Sequence, residues 1–331
     1  MIVRVWSGFT SRCITLYHAY CLAKEKKDSI TVIWPVSNDC YIHFWDVFDK
    51  ESFSGVQVKV VEELQYNSQS IRKFIKQRKY VSVIRECARR LFFKLKNFWA
   101  NHYSLLRQNK WCVEFAPPSD IPFTIESDAY LNYRMNIKFL FRWLYERNHN
   151  VFANAYCGLV SPDVSALFAD KLFNVLKFSR KYFDECKKIL DIKENRRLIG
   201  IHIRRTDHVL CIKESKTVFF VEKMKELIAD DPSVVFFLAT DDKNEENDLK
   251  KIFGDRLFVN KDKVWGRGTS NGMEAAIVDI LCLASCSCIY GSFSSVFSNF
   301  AAQYGNAELY VLRTGNDENG VWESVYAPRN D

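Results

Sequence analysis

A stretch in the middle of the chain, residues 198–207, joins an apolar run to a group of residues that could do chemistry. Residues 198–203 are apolar and rich in β-branched side chains, which predicts a buried parallel strand. Polar and charged residues follow immediately. Because ligands bind outside the carboxyl ends of the strands in open α/β sheets, this strand end predicts a ligand site. Its candidate residues are His202, Arg204, Arg205 and Asp207.

The two arginines of this stretch are expected to point in opposite directions. Side chains alternate along a strand, so His202, Arg204 and Thr206 share one face and Arg205 lies on the other, provided that the strand continues. A guanidinium suits an anionic oxygen cluster, because it stays charged and donates two parallel hydrogen bonds. Arg204 is therefore the candidate phosphate ligand. A surface salt bridge is the simpler interpretation that these residues alone leave open.

Polar groups also occur near other predicted strand ends and in one apolar helix. Asp241 and Asp242 follow a buried strand at 234–240, and Asp242 could equally cap the next helix. Asp279 is the one acid in an apolar run, where a carboxylate is costly unless it has partners. Internal capping of a backbone N–H is the alternative for Asp279.

Two loops could hold an anion at the start of a helix. Residues 291–295, Gly-Ser-Phe-Ser-Ser, follow a predicted strand and open a helix, so their hydroxyl and N–H groups can converge on an anion. A serine-rich helix cap without function is the alternative. The candidate residues are Ser292, Ser294 and Ser295. Near the N-terminus, Gly8 and Phe9 occupy a similar loop between a strand and a helix, where an ordinary turn is the alternative.

The motif His-Ile-Arg-Arg-Thr-Asp at 202–207 resembles the His-x-Arg-Arg-x-Asp signature of the α1,2-, α1,6- and protein O-fucosyltransferases, including the rhizobial Nod-factor enzymes. Three further stretches resemble them too: the Gly8 loop, Thr240-Asp241-Asp242 and the serine turn at 292–295. The resemblance implies a GT-B fold, in which two Rossmann-like, doubly wound domains enclose a donor site in their cleft. It also implies metal-independent transfer of fucose from GDP-fucose with inversion, and it assigns Asp279 to guanine.

The catalytic base is assigned less directly than the donor contacts. Transfer requires stabilisation of the departing GDP and a base that takes the acceptor proton. Arg204 and the serine turn are expected to stabilise the departing GDP. Asp207, His208 and Glu214 are the other candidate catalytic residues, with Glu214 favoured over His208 as the base. Another GDP-sugar, such as GDP-mannose, is the alternative donor.

The order of predicted elements supports two α/β domains. Residues 1–34 form a strand, helix, strand unit, and five strands alternate with four helices between 198 and 312. A polar break at 191–197 predicts a boundary between domains at 1–190 and 191–331. The lack of a long apolar run and of a signal-peptide core predicts a cytoplasmic protein. The eleven cysteines are an odd number and are expected to be reduced, and no zinc site is expected.

A basic insert at about 66–110 interrupts the first domain. Residues 71–110 contain twelve Lys or Arg and one acid, a charge of +11, so the rest of the chain sums to 7 − 11 = −4. Apolar residues recur there at helical spacing, which predicts a basic amphipathic helix. It could contact an anionic membrane peripherally, bind nucleic acid, or form a solvated face. We expect no nucleic acid, and a glycan or lipid-linked oligosaccharide as acceptor; a non-catalytic lipid- or nucleic-acid-binding protein is the alternative class.

Overall fold

A computed structural model of the chain describes residues 2–5, 8–64, 84, 88, 91, 172–191, 196–261, 263–315 and 320–326. The chain divides into two compact units, Met1–Asp170 and Lys171–Asp331. Apart from residues 84, 88 and 91, the predicted basic insert lies outside the described residues. No helix in the described ranges is long and apolar enough to cross a bilayer.

The first unit contains a parallel three-stranded sheet in the order β1-β2-β3. Its elements are β1 (Ile2–Arg4), α1 (Phe9–Lys26), β2 (Ile30–Val36), α2 (Phe44–Val47) and β3 (Val58–Leu64). Buried aromatic rings form much of its core, and the Trp34 and Phe44 rings meet edge to face with centroids 5.4 Å apart. The predicted strand, helix, strand unit is confirmed.

The second unit is a doubly wound sheet flanked by helices. After two short helices, α3 (Leu172–Val175) and α4 (Arg180–Ile189), strands and helices alternate along the chain. They are β4 (Arg197–Ile203), α5 (Val209–Glu214), α6 (Thr217–Asp230), β5 (Val234–Thr240), α7 (Lys243–Phe253), β6 (Leu257–Phe258), α8 (Ser270–Ala284), β7 (Cys288–Ser292), α9 (Val296–Gly305), β8 (Glu308–Thr314) and β9 (Gly320–Tyr326).

The sheet order β6-β5-β4-β7-β8-β9 puts β4 at its centre. The chain winds outward from β4 through β5 to β6, then returns to the other side of β4 for β7 and β8. The five predicted strands are therefore confirmed as parallel neighbours. The connections on the two sides of β4 diverge, and this reversal leaves a crevice at the carboxyl ends of β4 and β7.

Two elements of the second unit were absent from the sequence-based interpretation. β9 pairs antiparallel with β8, and its Trp322 ring packs edge to face on Phe220 at 5.3 Å and on Tyr290 at 5.0 Å between centroids. The short helix α5 follows β4 directly. The six-residue α5 is too short to be stable alone, and β9 depends on its pairing and ring contacts, so neither leaves a clear local pattern.

The helices α3 and α4 pack with the second unit, although the sequence placed a domain boundary after residue 190. α4 lies against α8, where the buried Sγ atoms of Cys186 and Cys282 are 3.4 Å apart. The eight cysteines in the described ranges are all free thiols. Burial raises the pKa of Cys286 and Cys288, so these thiols act as small apolar core groups.

Candidate functional site

Ser292 links the two strands that border the crevice. Its Oγ accepts a hydrogen bond from the backbone N–H of Arg204 at 3.0 Å and donates to the carbonyl of His202 at 3.3 Å. The side chain is fully buried at the end of β7. Ser292 therefore acts on the backbone of β4 and fixes where the Arg204 side chain begins.

Arg204 lies at the mouth of the crevice in contact with two carboxylates. Its Nη1 is 2.7 Å from Oδ2 of Asp241, and its Nη2 donates to Asp207, which also accepts from Arg267. Asp241 in turn accepts from Thr206. Burial raises the pKa of Asp241, but the charge of Arg204 and these hydrogen bonds outweigh it and lower the pKa overall. The strand ends at Ile203, so alternation along it does not extend to Arg204 and Thr206, but the side chains of both contact Asp241.

Arg205 points away from this group. Its Nη2 donates to Thr217 Oγ1 at 2.9 Å and to Glu245 Oε1 at 3.2 Å, and Thr217 itself donates to Glu245 at 2.6 Å. The guanidinium therefore joins the start of α6 to the first turn of α7. Its backbone N–H donates to Asp241 Oδ1 at 2.7 Å. The predicted donor contact of Arg205 stays a prediction, since its side chain is committed to the two helices and its N–H to Asp241.

His202 is a neutral imidazole inside the sheet end. Burial lowers its pKa to about 3, and the positive charge of Arg204 adds to this effect. Its ring stacks on Phe297 with centroids 5.0 Å apart. Nδ1 is buried and has no hydrogen-bond partner among the described residues. A buried polar atom without a partner is unfavourable, so it marks a place where a ligand could bind.

Asp279 is buried, as its apolar surroundings in the sequence predict, and its partner is Lys263. The Lys263 Nζ is 2.8 Å from Asp279 Oδ2 and also donates to the carbonyl of Thr240. Burial raises the pKa of Asp279 despite the charge of Lys263 and the smaller effect of Asn260, whose Nδ2 donates to Ala275. The second oxygen, Oδ1, is buried without a hydrogen-bond partner in the described part of the chain.

The candidate bases lie on α5, beside the crevice. Nδ1 of His208 accepts the backbone N–H of Cys211 at 3.2 Å and so caps the helix. This places the proton of the neutral ring on Nε2, which makes that nitrogen a donor. Burial, followed by the charge of Arg204, lowers the pKa of His208. Glu214 ends α5, and its nearest cation is Lys213 at 3.8 Å. Neither oxygen of Asp207 is free, because each contacts an arginine.

The serine turn has the geometry of a short loop that opens a helix. Ser294 has a positive φ of 59°, and the N–H of Ser295 donates to the carbonyl of Ser292 at 3.3 Å. Ser295 is the residue that precedes α9, and its side chain makes no capping bond. A hydroxyl not used for capping and the first N–H groups of α9 could therefore bind an anion.

Asp242 caps α7, in agreement with the capping alternative. Its carboxylate accepts the N–H groups of Asn244 at 2.7 Å and Glu245 at 3.3 Å. In the first unit, Gly8 precedes α1 in extended conformation, and Phe9 is buried against Phe48. The donor contact predicted for Gly8 and Phe9 stays a prediction. Within the described ranges, no three His, Cys, Asp or Glu residues are grouped as metal ligands.

The sequence analysis missed several residues of this site. Lys263 and Arg267 lie in the irregular segment between β6 and α8, and Phe297 lies on α9. The segment 259–269 contains basic residues close to a helix that carries a buried acid, which was the one available signal. The partners of Lys263 are 16 and 23 residues away along the chain, so only the tertiary structure could identify them.

The chain matches no known family by sequence, and no curated protein is similar enough to be recognised from sequence. Solved structures with a similar fold do exist. The α-1,6-fucosyltransferase NodZ co-crystallised with GDP aligns with a TM-score of 0.55 at 15% identity, covering 98% of both chains. NodZ from Bradyrhizobium gives 0.56 at 15% identity, over 98% of this chain and 99% of that one. The protein has the fold of this fucosyltransferase.

A plant protein gives a similar result. Arabidopsis thaliana FUT1 in complex with GDP aligns with a TM-score of 0.52 at 11% identity, over 99% of this chain and 74% of that chain. These alignments extend over both units. They confirm the predicted fold class, GT-B with two Rossmann-like domains.

The different environments of the two arginines predict different effects on stability. Arg205→Met should lower the free energy of unfolding by about 2–4 kcal/mol, because it leaves the partly buried Glu245 without its charge partner. Arg204→Met should cost less than half as much, since Asp207 and Asp241 keep other donors. Urea unfolding, followed in the second unit of the full-length protein, measures the loss of unfolding free energy for each variant. Adding Glu245→Gln to Arg205→Met should recover part of the loss, and strict additivity would contradict the pairing.

The buried, neutral state of His202 predicts a pH dependence of stability. The pKa is about 3 in the folded protein and near the ordinary 6.5 after unfolding, so the unfolded chain binds the extra proton first. The contribution of His202 to the free energy of unfolding is fully present above pH 6.5. It is lost as the pH falls toward 3, by up to about 1.4 kcal/mol per pH unit. His202→Phe, which keeps the stacking on Phe297, should make the free energy of unfolding, measured in urea, less dependent on pH between 6.5 and 4. A variant curve parallel to that of the wild type would contradict this.

Proposed function

We propose that the protein is an inverting fucosyltransferase that transfers fucose from GDP-fucose to a hydroxyl group of a glycan. One observation carries the proposal. Two buried polar atoms that have no partner among the described residues, His202 Nδ1 and Asp279 Oδ1, accompany Arg204 in the part of the second unit where doubly wound sheets bind nucleotides. GDP offers groups that can satisfy both atoms and a pyrophosphate that can pair with the arginine.

The guanine base is assigned to the buried part of the site. A carboxylate accepts the adjacent N–H donors of guanine, and Asp279 has an oxygen available for one of them. His202 is neutral at every physiological pH, so it can exchange hydrogen bonds with the base without introducing a charge. Burial of both groups makes an unmatched base costly, because their polar atoms would remain without partners.

The pyrophosphate is assigned to the side chain of Arg204 and to the turn formed by Ser292, Ser294 and Ser295. Asp241 orients Arg204 across a distance of 2.7 Å. Charge that develops on the departing GDP is stabilised by the guanidinium fork and by the N–H groups at the start of α9. Gly8 and Phe9 are assigned to donor binding, as the resemblance implies.

Transfer then needs a base for the acceptor hydroxyl and no covalent intermediate on the protein. We assign this role to Glu214. The alternative, His208, accepts an N–H at Nδ1 and carries its proton at Nε2, so its basic nitrogen is already occupied. Asp207 is assigned to the positioning of Arg204. The reaction is proposed to proceed without a metal ion, with the cation of Arg204 balancing the charge of the phosphates.

A panel of donors tests this proposal. The purified protein should hydrolyse GDP-fucose slowly and in the presence of EDTA, and should hydrolyse UDP- and ADP-sugars at least tenfold more slowly. Arg204→Lys should lower the rate by roughly two to four orders of magnitude, because one mobile ammonium cannot replace a planar fork. Hydrolysis of GDP-mannose in preference to GDP-fucose would support the alternative donor. Activity restored by Mn²⁺ after EDTA treatment would contradict the metal-independent mechanism.

We further propose that the basic insert brings the enzyme to an anionic membrane surface, where a lipid-linked oligosaccharide would be the acceptor. Residues 84, 88 and 91 are helical, and their spacing places them on one face. Ile84 is 70% exposed, Leu91 is 61% exposed, and Ala88 is exposed as well. An exposed apolar stripe in a segment with a charge of +11 fits a membrane surface better than a solvated face. This contact would place a cytoplasmic enzyme on the inner face of the membrane.

Sedimentation with vesicles tests the membrane contact. The protein should sediment with vesicles that contain phosphatidylserine and not with neutral ones, and salt should release it. Reversing the charges of Arg85, Arg89, Arg90 and Lys94 should abolish binding, since each basic group contributes about 1 kcal/mol near such a surface. Ile84→Ser with Leu91→Ser should weaken it without a change in charge. Equal sedimentation with neutral and anionic vesicles would contradict the proposal.

A further inference from the structure

Lys263 is a buried cation in the part of the site assigned to the base. Its side chain is only 10% exposed, and that of its partner Asp279 is 4% exposed. Two of its three N–H groups have acceptors, Asp279 Oδ2 and the carbonyl of Thr240. The third has no hydrogen-bond acceptor in the part of the chain that the structure describes. Its ammonium also lies 4.6 Å from the centre of the Trp265 ring.

Lys263 pairs with a residue that carries one of the three buried polar side-chain atoms without a partner in the described ranges. These atoms are His202 Nδ1, Glu246 Oε2 and Asp279 Oδ1. The charge of Lys263 acts on all three groups, because it contributes to lowering the pKa of each. The ion pair of Lys263 and Asp279 thus holds an unused donor and an unused acceptor side by side in a buried place. Such a pair can recognise a polar group that presents an acceptor beside a donor.

We propose that Lys263 is a specificity-determining residue that donates its third N–H to O6 of guanine while Asp279 Oδ1 accepts the neighbouring N1–H. The inference rests on the proposed function, since it assumes a guanine nucleotide. The ion pair between Lys263 and Asp279 holds a donor beside an acceptor, and guanine presents an acceptor beside a donor in the matching order. Asp279 Oδ2, which already accepts from Lys263, keeps the two groups in register.

The same pair rejects adenine. Adenine carries an amino donor in place of O6 and a bare nitrogen acceptor in place of N1–H, so the donor would meet Lys263 and the acceptor would meet Asp279. Both contacts would be repulsive in a buried site, where unmatched polar groups are most costly. Uracil has the matching order on a smaller ring. It is therefore excluded by size and not by this pair.

Nucleotide analogues and one matched pair of variants test the assignment. Calorimetry should measure the affinity of four nucleotides for the wild type, Lys263→Met and Lys261→Met. The nucleotides are GDP, inosine diphosphate, 2,6-diaminopurine riboside diphosphate and ADP. Lys261 lies two residues away and is exposed, so its change removes the same charge outside the pair. Lys263→Met should weaken GDP and inosine diphosphate, which both have O6, by roughly ten- to a hundredfold. It should leave ADP unchanged or bound more tightly, and Lys261→Met should change none of them.

The wild type alone gives a second readout, which is independent of whether Lys263→Met folds. Inosine diphosphate keeps O6 and N1–H, so it should bind within about tenfold of GDP. The diaminopurine nucleotide keeps the 2-amino group of guanine but not O6 or N1–H, so it should bind as weakly as ADP. Diaminopurine binding equal to that of GDP would overturn the assignment, and so would an equal loss for GDP and ADP in Lys263→Met.

These outcomes separate the assignment from the proposed function. If the wild type does not prefer GDP to ADP and UDP, the proposed function fails and the assignment fails with it. If the wild type prefers GDP and Lys263→Met keeps that preference while folded, the assignment alone is overturned. Circular dichroism of each variant establishes that it is folded.

Discussion

The pairing of β4 with β5 on one side and β7 on the other is the constraint on which the site depends. Since β4 is the first strand of its sheet along the chain and lies in the middle of that sheet, the connections on its two sides run in opposite directions and leave an opening at its carboxyl end. Ser292 ties the two borders of that opening together through its hydrogen bonds to Arg204 and His202. The parallel register therefore determines where the polar residues after each strand can meet.

Charge compensation explains how so many ionic groups are tolerated there. Arg205 is matched by Glu245, Arg204 by Asp207 and Asp241, and Lys263 by Asp279. A buried charge without a partner costs several kcal/mol, so each pair preserves the fold as well as the site. The pairs differ in which hydrogen-bonding atoms they leave available to a ligand. The side chain of Arg205 is engaged by α6 and α7, whereas Asp279 Oδ1 has no hydrogen-bond partner within the described ranges, so Asp279 could still accept a hydrogen bond from a ligand.

The outcome at the two adjacent arginines shows how far local patterns extend. Alternation along a strand separated Arg204 from Arg205, and the structure places the two guanidinium groups in separate networks. Capping of α7 was one alternative for Asp242, because an acid in that position satisfies free N–H groups, and Asp242 does cap this helix. The boundary after residue 190 was less successful, since α4 is attached to the second unit by packing against α8, and such packing leaves no local signal.

The sequence by itself determined the strands, the helices and the polar residues at their carboxyl ends, because hydrophobic periodicity and capping act over a few residues. It also identified Asp279 as the one acid in the apolar run of α8. Only the tertiary structure decided that Lys263 meets this acid, that Asp207 meets Arg267, and that Ser292 holds the backbone of Arg204. Those partners lie between 16 and 88 residues apart along the chain, so sheet order and helix packing, not local spacing, bring them together.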